Sequence, residues 1–131
     1  MILRKNLSVA AMMIFIFVLF TGCGDNYVKI SHDEAQKMMD ENKDAIILDV
    51  RTLEEFDKKH IPNALLVPID DLRNGNFSSL PDKDAMIIIY CHTGRRSEEA
   101  AKILVNAGYK NVYDMGDIVD WTGSISGTKV K

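Results

Sequence analysis

Residues 87–101 read Ile-Ile-Ile-Tyr-Cys-His-Thr-Gly-Arg-Arg-Ser-Glu-Glu-Ala-Ala, and this stretch carries the clearest structural signals in the chain. Its apolar, β-branched start predicts a buried strand that stops at Cys91. Ser97, Glu98 and Glu99 then predict the start of an amphipathic helix. The sequence therefore predicts a thiol at the point where a buried strand turns into a helix N-terminus.

A thiol in this position is expected to be a reactive anion. The backbone N–H groups of such a turn converge with the positive end of the helix dipole, which stabilises an anion and favours a thiolate. Two arginines in the same loop add fixed positive charge. We therefore predict that Cys91 is a catalytic nucleophile at the floor of an anion cradle. The candidate anion-binding residues are those that follow it: His92, Thr93, Gly94, Arg95, Arg96 and Ser97.

The chain on either side of this loop alternates short strands with short helices. Strands are predicted over 27–30, 45–50, 64–67, 85–90 and 112–115. Helices are predicted over 31–41, 52–58 and 97–107, with a shorter one at 70–72 and a terminal one carrying Ile118 and Trp121. This order predicts one α/β domain over 27–123, with a mainly parallel central sheet flanked by helices, and a flexible tail over 124–131.

The cysteine loop resembles the active-site loop of the rhodanese-like domains, a family of sulfurtransferases. Single-domain members of that family carry Cys-x-Ser-Gly-x-Arg-Ser after a buried strand. Four positions of this pattern match, namely Cys91, Gly94, Arg96 and Ser97. Thr93 stands in the place of the first serine.

The resemblance extends over most of the chain after residue 26. Further matching motifs follow in the family's order: Leu-Asp-Val-Arg at 48–51, Glu-Glu-Phe at 54–56, His-Ile-Pro-Asn-Ala at 60–64, and the pair Gly116 and Trp121. The chain departs from the pattern at three positions where the family commonly has glycine: Lys59, Asn63 and Asp117.

The resemblance implies sulfur transfer from a donor such as thiosulfate to a thiophilic acceptor through a persulfide on Cys91. Asp49 lies near the end of the predicted strand 45–50, and Arg51 directly follows that strand. Ligands of open α/β sheets usually bind at this end of the strands. We expect Asp49 and Arg51 to support the site, either by contacting substrate or by forming a structural ion pair. The sequence contains no glycine-rich phosphate loop and no metal-ligand spacing, so neither a cofactor nor a metal is expected.

Two other functions fit a cysteine in such a loop. Relatives of this fold that act as cysteine-based phosphatases or arsenate reductases use a loop one residue longer, whereas four residues separate Cys91 from Arg96 here. Other relatives are non-catalytic binding or redox-sensing modules, which commonly lose the cysteine. Because this chain keeps both the cysteine and the arginine in a short loop, sulfur transfer is the favoured interpretation.

The N-terminal segment resembles a bacterial lipoprotein signal. Arg4 and Lys5 precede an uncharged run of 14 residues at 7–20, which is shorter than the roughly 20 residues of a membrane span. Cleavage after residue 22 would leave Cys23 for lipidation and residues 23–26 as a short tether. The alternative is an uncleaved N-terminal anchor. Both predict a membrane-anchored protein of the cell envelope that faces outside the cytoplasm.

Cysteine usage and charge narrow the possible partners. Cys23 and Cys91 are the only cysteines, so a Cys23–Cys91 disulfide is the structural alternative to a lipidated and a reactive cysteine.

Removing residues 1–22 takes away two basic residues and no acid, which changes the formal charge from −3 to −5. An acidic domain is not expected to bind nucleic acid. We expect a monomer that binds a small sulfur-containing anion and a thiol or cyanide-like acceptor.

Overall fold

A computed structural model describes residues 26–128, which form a parallel sheet flanked by helices. The strands are β1 (Val28–Lys29), β2 (Ile46–Asp49), β3 (Leu65–Leu66), β4 (Met86–Cys91) and β5 (Asn111–Asp117). The helices are α1 (His32–Glu41), α2 (Leu53–Lys58), α3 (Ile69–Arg73) and α4 (Arg95–Asn106). The strands pair in the order β1-β5-β4-β2-β3, and every pair is parallel. The predicted α/β fold is confirmed.

Strand β4 lies in the middle of the sheet and is buried on both faces. Ile87 and Ile89 pack into a hydrophobic cluster with α3 and α4, whereas Ile88 and Tyr90 pack into a second cluster with α1. Successive side chains of a strand point to opposite faces, so a strand covered on both sides needs an unbroken apolar run. Each buried isoleucine stabilises the fold by roughly 1.5–3 kcal/mol. The sheet is therefore most firmly held at the strand that ends in Cys91.

Two helices start with the capping boxes that the sequence predicts. Ser31 Oγ accepts from the backbone N–H of Glu34 at 3.2 Å, and the Glu34 carboxylate accepts from the backbone N–H of Ser31 at 2.8 Å. Thr52 and Glu55 exchange the same two bonds at the start of α2, at 3.3 and 2.9 Å. Each box satisfies two backbone donors that the first helical turn would otherwise leave unpaired. These reciprocal bonds fix where α1 and α2 begin.

Helix α4 begins at Arg95, two residues before the predicted start at Ser97. Its N-cap is Gly94, whose φ of 96° lies in the left-handed region that favours glycine. The hydroxyl of Ser97 donates to the carbonyl of Gly94 at 3.0 Å inside the first turn. The predicted start is wrong because a serine followed by acidic residues normally marks an N-cap. Here Gly94 is the N-cap, and Ser97 lies inside the first turn.

The end of the chain differs from the predicted terminal helix. Residues 118–128 contain no helix, so the helix predicted around Ile118 and Trp121 is wrong. The backbone N–H of Ile118 donates to the carbonyl of Cys91 at 3.0 Å, which holds this segment against the end of β4. Ile118 is buried and Trp121 is partly buried against the cluster next to α1, so both contribute to the core without helical structure.

Backbone geometry explains two of the positions where the family commonly has glycine. Asn63 has a φ of 65°, a left-handed conformation that asparagine tolerates better than most residues. Lys59 is extended, with a φ of −162°, so no glycine is required there. Strand β5 continues through Gly116 to Asp117, two residues beyond the end predicted at residue 115. The pairing of β5 with β4 shifts register at this point: Ile89 pairs with Asp114, and the next residue, Tyr90, pairs with Gly116.

The tail predicted as flexible over 124–131 lies partly within the described residues. Ser126 and Thr128 form backbone hydrogen bonds to His60 and Asp57. Cys23 and the predicted signal over 1–22 lie outside the described residues, as do residues 129–131. Among residues 26–128, none of the helices combines the length and the apolar character needed to cross a membrane.

Candidate active site

The sulfur of Cys91 lies at the carboxyl end of the central strand and accepts a backbone hydrogen bond. The N–H of Gly94 donates to Cys91 Sγ at 3.0 Å, so the loop turns back on the thiol as the sequence predicts. Only 1% of the residue is exposed, so the thiol lies buried beneath the loop. Cys91 is a free thiol that belongs to the cluster formed with α3 and α4. A small reagent should therefore reach the Cys91 sulfur more easily than a bulky one.

The loop after Cys91 is fastened to the end of β5. Thr93 forms an isolated antiparallel bridge with Asp117, and the Ile118 N–H binds the Cys91 carbonyl. A side chain at Gly94 would lie 3.6 Å from the backbone of Gly116, which is ordinary contact. The positive φ of Gly94, and not lack of space, is therefore what requires glycine there. This conformation aims the Gly94 N–H at the sulfur.

Ser97 and Asp114 form a polar layer under the loop. Ser97 is buried, and its hydroxyl donates to the Gly94 carbonyl and lies 3.4 Å from the carbonyl of Gly116. Burial raises the pKa of the Asp114 carboxyl, against the opposing effect of the hydrogen bond from the Gly116 N–H. Ser97 therefore stabilises the shape of the loop from beneath instead of facing an anion.

Arg96 is paired with a carboxylate from another helix. Its Nη1 and Nη2 donate to the two carboxylate oxygens of Glu55, both at 2.8 Å. Glu55 Oε2 also accepts from the Thr52 backbone, so one carboxylate serves the cap of α2 and the guanidinium. The bonds from Arg96 lower the pKa of the Glu55 carboxyl to about 2, with Thr52 adding to the effect against partial burial. Glu55 therefore fixes the direction of the guanidinium.

The remaining predicted loop residues lie on the rim. The side chains of His92, Thr93 and Arg95 are exposed. A cleft of about 420 Å³ opens beside the loop between α4 and β5, and Thr93, Gly94 and Arg95 line it with Lys29 and Asp114. The cleft is also lined by Glu98, which pairs with Lys29 at 3.5 Å, so Arg95 contributes the positive charge at its edge that this pair does not offset.

Asp49 and Arg51 form a buried ion pair close to the site. Arg51 Nη2 lies 2.7 Å from Asp49 Oδ2, and the same nitrogen donates to the Lys59 carbonyl at 2.7 Å. The two residues are 0% and 3% exposed. Tyr90, on the next strand, accepts a hydrogen bond from the backbone N–H of Ile61 at 3.1 Å, and burial raises its pKa. The structural ion pair considered from the sequence is therefore formed.

Two features of the site are not identified from the sequence. The sequence identifies Glu55 only as the N3 residue of a capping box and as part of the Glu-Glu-Phe motif of the family. Neither pattern indicates that Glu55 binds Arg96. The contact between Asp117 and Thr93 connects residues that are distant in sequence, and His32 Nε2 donates to the Asp117 carbonyl at 2.8 Å from a third element. The local pattern of residues around each position gives no signal for these pairings.

Known proteins with similar sequence or structure define the family. A sequence profile of the rhodanese-like domain matches residues 31–124. The chain is 34% identical over 96 residues to thiosulfate sulfurtransferase GlpE of Coxiella burnetii, which covers 72% of this chain and 87% of that protein. The crystal structure of a rhodanese-like domain protein from Staphylococcus aureus has a TM-score of 0.68 and 31% identity, covering 78% of this chain and 99% of that one. The chain belongs to the rhodanese-like domain family.

A further relative is longer than this chain. The putative sulfur carrier protein YrkF of Bacillus subtilis is 36% identical over 96 residues, which is 72% of this chain. The match covers 51% of that protein, so the chain spans about half its length. The similarity is therefore to one part of that protein.

Proposed function

We propose that the protein is a sulfurtransferase that carries sulfur as a persulfide on Cys91. The observation that carries this proposal is the bond from the Gly94 N–H to Cys91 Sγ at the start of α4. An amide donor and a helix N-terminus both favour negative charge on the sulfur.

The reaction proceeds in two displacements. The Cys91 thiolate attacks the outer sulfur of thiosulfate, a new sulfur–sulfur bond forms, and sulfite leaves with the electron pair of the bond that breaks. The acceptor, a thiol or cyanide, then attacks the outer sulfur of the persulfide and releases the Cys91 thiolate. Arg96 provides positive charge for the sulfonate group and the persulfide, while Arg95 attracts the donor anion to the rim.

The size of the loop and the names of two relatives support sulfur chemistry over phosphate chemistry. Four residues separate Cys91 from Arg96, one fewer than in the loops of cysteine-based phosphatases. The shorter loop has room for one added sulfur atom and less room for a phosphoryl group. The relative from Coxiella burnetii is named a thiosulfate sulfurtransferase, and the one from Bacillus subtilis a putative sulfur carrier.

A turnover assay with two kinds of substrate tests the proposed function. The purified protein is given thiosulfate with cyanide in one series and an aryl phosphate in the other. The proposal expects thiocyanate to form and the phosphate ester to stay intact. Phosphate release without thiocyanate would favour a phosphatase, and inactivity toward both would favour a binding or sensing module.

Replacing Arg96 by alanine should slow the reaction with thiosulfate far more than replacing Arg95. Arg96 is held inside the site, whereas Arg95 is exposed on the rim. A charged hydrogen bond to an anion contributes roughly 1.5–3 kcal/mol, or about 10- to 100-fold in rate if it forms in the transition state. Steady-state kinetics of Arg96→Ala and Arg95→Ala measure the difference, and equal losses would contradict the assigned roles.

We also propose that the protein is a lipoprotein of the cell envelope, tethered through Cys23. The support is the signal-like sequence that ends in Thr21-Gly22-Cys23, followed by a domain that begins near residue 27. Cys23→Ala should leave the domain folded and active, but release it from the membrane or leave it unprocessed. Membrane fractionation and mass measurement of the processed chain test this. Cys23→Ala protein that is still cleaved and lipidated would contradict the lipoprotein proposal.

A further inference from the structure

The last described residues form a strap across the end of α2. We use "C-terminal strap" for residues 125–128. Ser126 and His60 exchange two backbone hydrogen bonds, at 2.8 and 2.7 Å. The backbone N–H and the hydroxyl of Thr128 both donate to the Asp57 carbonyl at 2.9 Å. The match to the rhodanese-like domain ends at residue 124, so the strap lies beyond the residues that this profile matches.

Gly127 allows the strap to approach the end of α2 closely. A Cβ atom at this position would lie 2.5 Å from the Lys58 carbonyl oxygen and 2.8 Å from the Cα atom of Lys59. These are backbone atoms that cannot move aside as a flexible side chain can. Gly127 also has a φ of 146°, a conformation that residues with a side chain rarely adopt. Any larger residue would therefore push the strap away from α2.

Besides the strap, helix α2 is held by Arg51, which donates to the Lys59 carbonyl after its last turn, and by Arg96, which pairs with Glu55. It has six residues, none of which is buried, so it lacks the apolar face that usually anchors a helix. Phe56 stacks on His60 with ring centres 3.7 Å apart, and His60 is the residue that the strap binds. At its other end, α2 carries Glu55, which holds Arg96. The helix therefore links the strap to the loop around Cys91.

We propose that the C-terminal strap is a positioning element for sulfur transfer: it fixes α2 so that Glu55 holds Arg96 beside the Cys91 loop. The inference rests on the proposed sulfurtransferase activity. Releasing the strap leaves Cys91 and its amide donor in place and frees α2, so the direction of the Arg96 guanidinium is lost. Misplacing a group by about 1 Å from a distance can cost up to about 100-fold in rate.

The Glu55–Arg96 pair remains ionised throughout the range of an ordinary assay. The pKa of the Glu55 carboxyl is lowered to about 2, so its interaction with Arg96 is present above the ordinary carboxyl pKa and is lost only as the pH falls toward about 2. Protonation of Glu55 should therefore contribute nothing to the change in rate caused by strap release between about pH 6 and 8. This separates a positioning effect from a change in protonation.

Gly127→Ala tests the proposal, with Gly75→Ala as its matched control. Both glycines have positive φ, but a Cβ atom at Gly75 meets nothing within 4 Å. In the full chain purified in detergent, Gly127→Ala should lower kcat with thiosulfate and cyanide about tenfold. It should also speed hydrogen exchange of the α2 amides that bond to Thr52 and Glu55, namely Phe56 and Lys59. Gly75→Ala should leave both unchanged.

A second pair of variants tests the route through Glu55. Glu55→Gln should also lower kcat about tenfold, whereas Glu34→Gln, which alters the equivalent capping box of α1, should not. Adding Gly127→Ala to Glu55→Gln should cost little more, because both changes act through the same arginine. Independent, additive losses would overturn the route, and wild-type kcat and exchange in Gly127→Ala would overturn the strap proposal.

The proposed function and the strap can fail separately. If the wild-type chain forms no thiocyanate, the sulfurtransferase proposal fails, and hydrogen exchange of α2 in Gly127→Ala then decides whether the strap fixes that helix. If the wild type is active and Gly127→Ala is equally active, only the strap proposal fails. Thr128→Val removes one of the two bonds to the Asp57 carbonyl and keeps the shape of the residue, so it provides the same test if Gly127→Ala does not fold.

Discussion

Cys91→Ser is expected to abolish sulfur transfer. A serine hydroxyl is not ionised near neutral pH and does not form a persulfide analogue that can be transferred, so no intermediate accumulates. The hydroxyl can still accept the hydrogen bond from the Gly94 N–H, although Cys91 is buried against the core. We therefore expect the free energy of unfolding to fall by only about 1 kcal/mol. Thiocyanate formation and urea denaturation measure the two effects.

Cys91→Ala provides the control for this result. It removes the acceptor of the Gly94 N–H bond and should be as inactive as the serine variant. Turnover in either variant at more than a small fraction of the wild-type rate would show that the reaction does not pass through Cys91. A large loss of stability in Cys91→Ser would instead show that the buried site does not tolerate a hydroxyl.

Arg51→Ala is expected to cause the largest loss of stability among the changes considered. It removes the partner of Asp49, a carboxylate with no exposed surface, and leaves that charge buried. Breaking a buried ion pair on one side typically costs about 3–5 kcal/mol. It also removes the donor to the Lys59 carbonyl, which connects the end of β2 to the segment after α2. Urea denaturation of the wild type and the variant measures this loss.

Arg73→Ala is the matched control because Arg73 also forms short ion pairs, with Asp70 and Glu99. Its side chain is 46% exposed, and exposed pairs contribute at most about 1 kcal/mol. We therefore expect a much smaller loss of stability than for Arg51→Ala. Similar losses in the two variants would contradict the structural role assigned to Asp49 and Arg51.

The parts of the fold that depend on local sequence are predictable. The isoleucines before Cys91 indicate a buried central strand because a strand with both faces covered needs continuous apolar side chains. The Ser31 and Thr52 capping boxes predict α1 and α2 because their bonds form between residues three apart. The position of Cys91 at the strand end, with a backbone donor three residues later, follows from the same local pattern.

The parts that depend on tertiary contacts are not predictable in this way. Glu55 and Arg96 are 41 residues apart, and no local pattern connects them. The apolar residues after β5 are spaced in a way that is compatible with a helix. The segment is instead held without a helix, because the N–H of the buried Ile118 donates to the distant Cys91 carbonyl. The composition of the tail is typical of a flexible segment, whereas Ser126 and Thr128 are held by backbone bonds that depend on the position of α2.

The intact mass of the purified chain tests the central claim most directly. After thiosulfate is added and removed, the account predicts a gain equal to one sulfur atom on the wild-type protein and none on Cys91→Ser. Cyanide should then return the mass to its starting value. A wild-type mass that stays unchanged under these conditions, or a gain that persists in Cys91→Ser, would contradict a persulfide on Cys91.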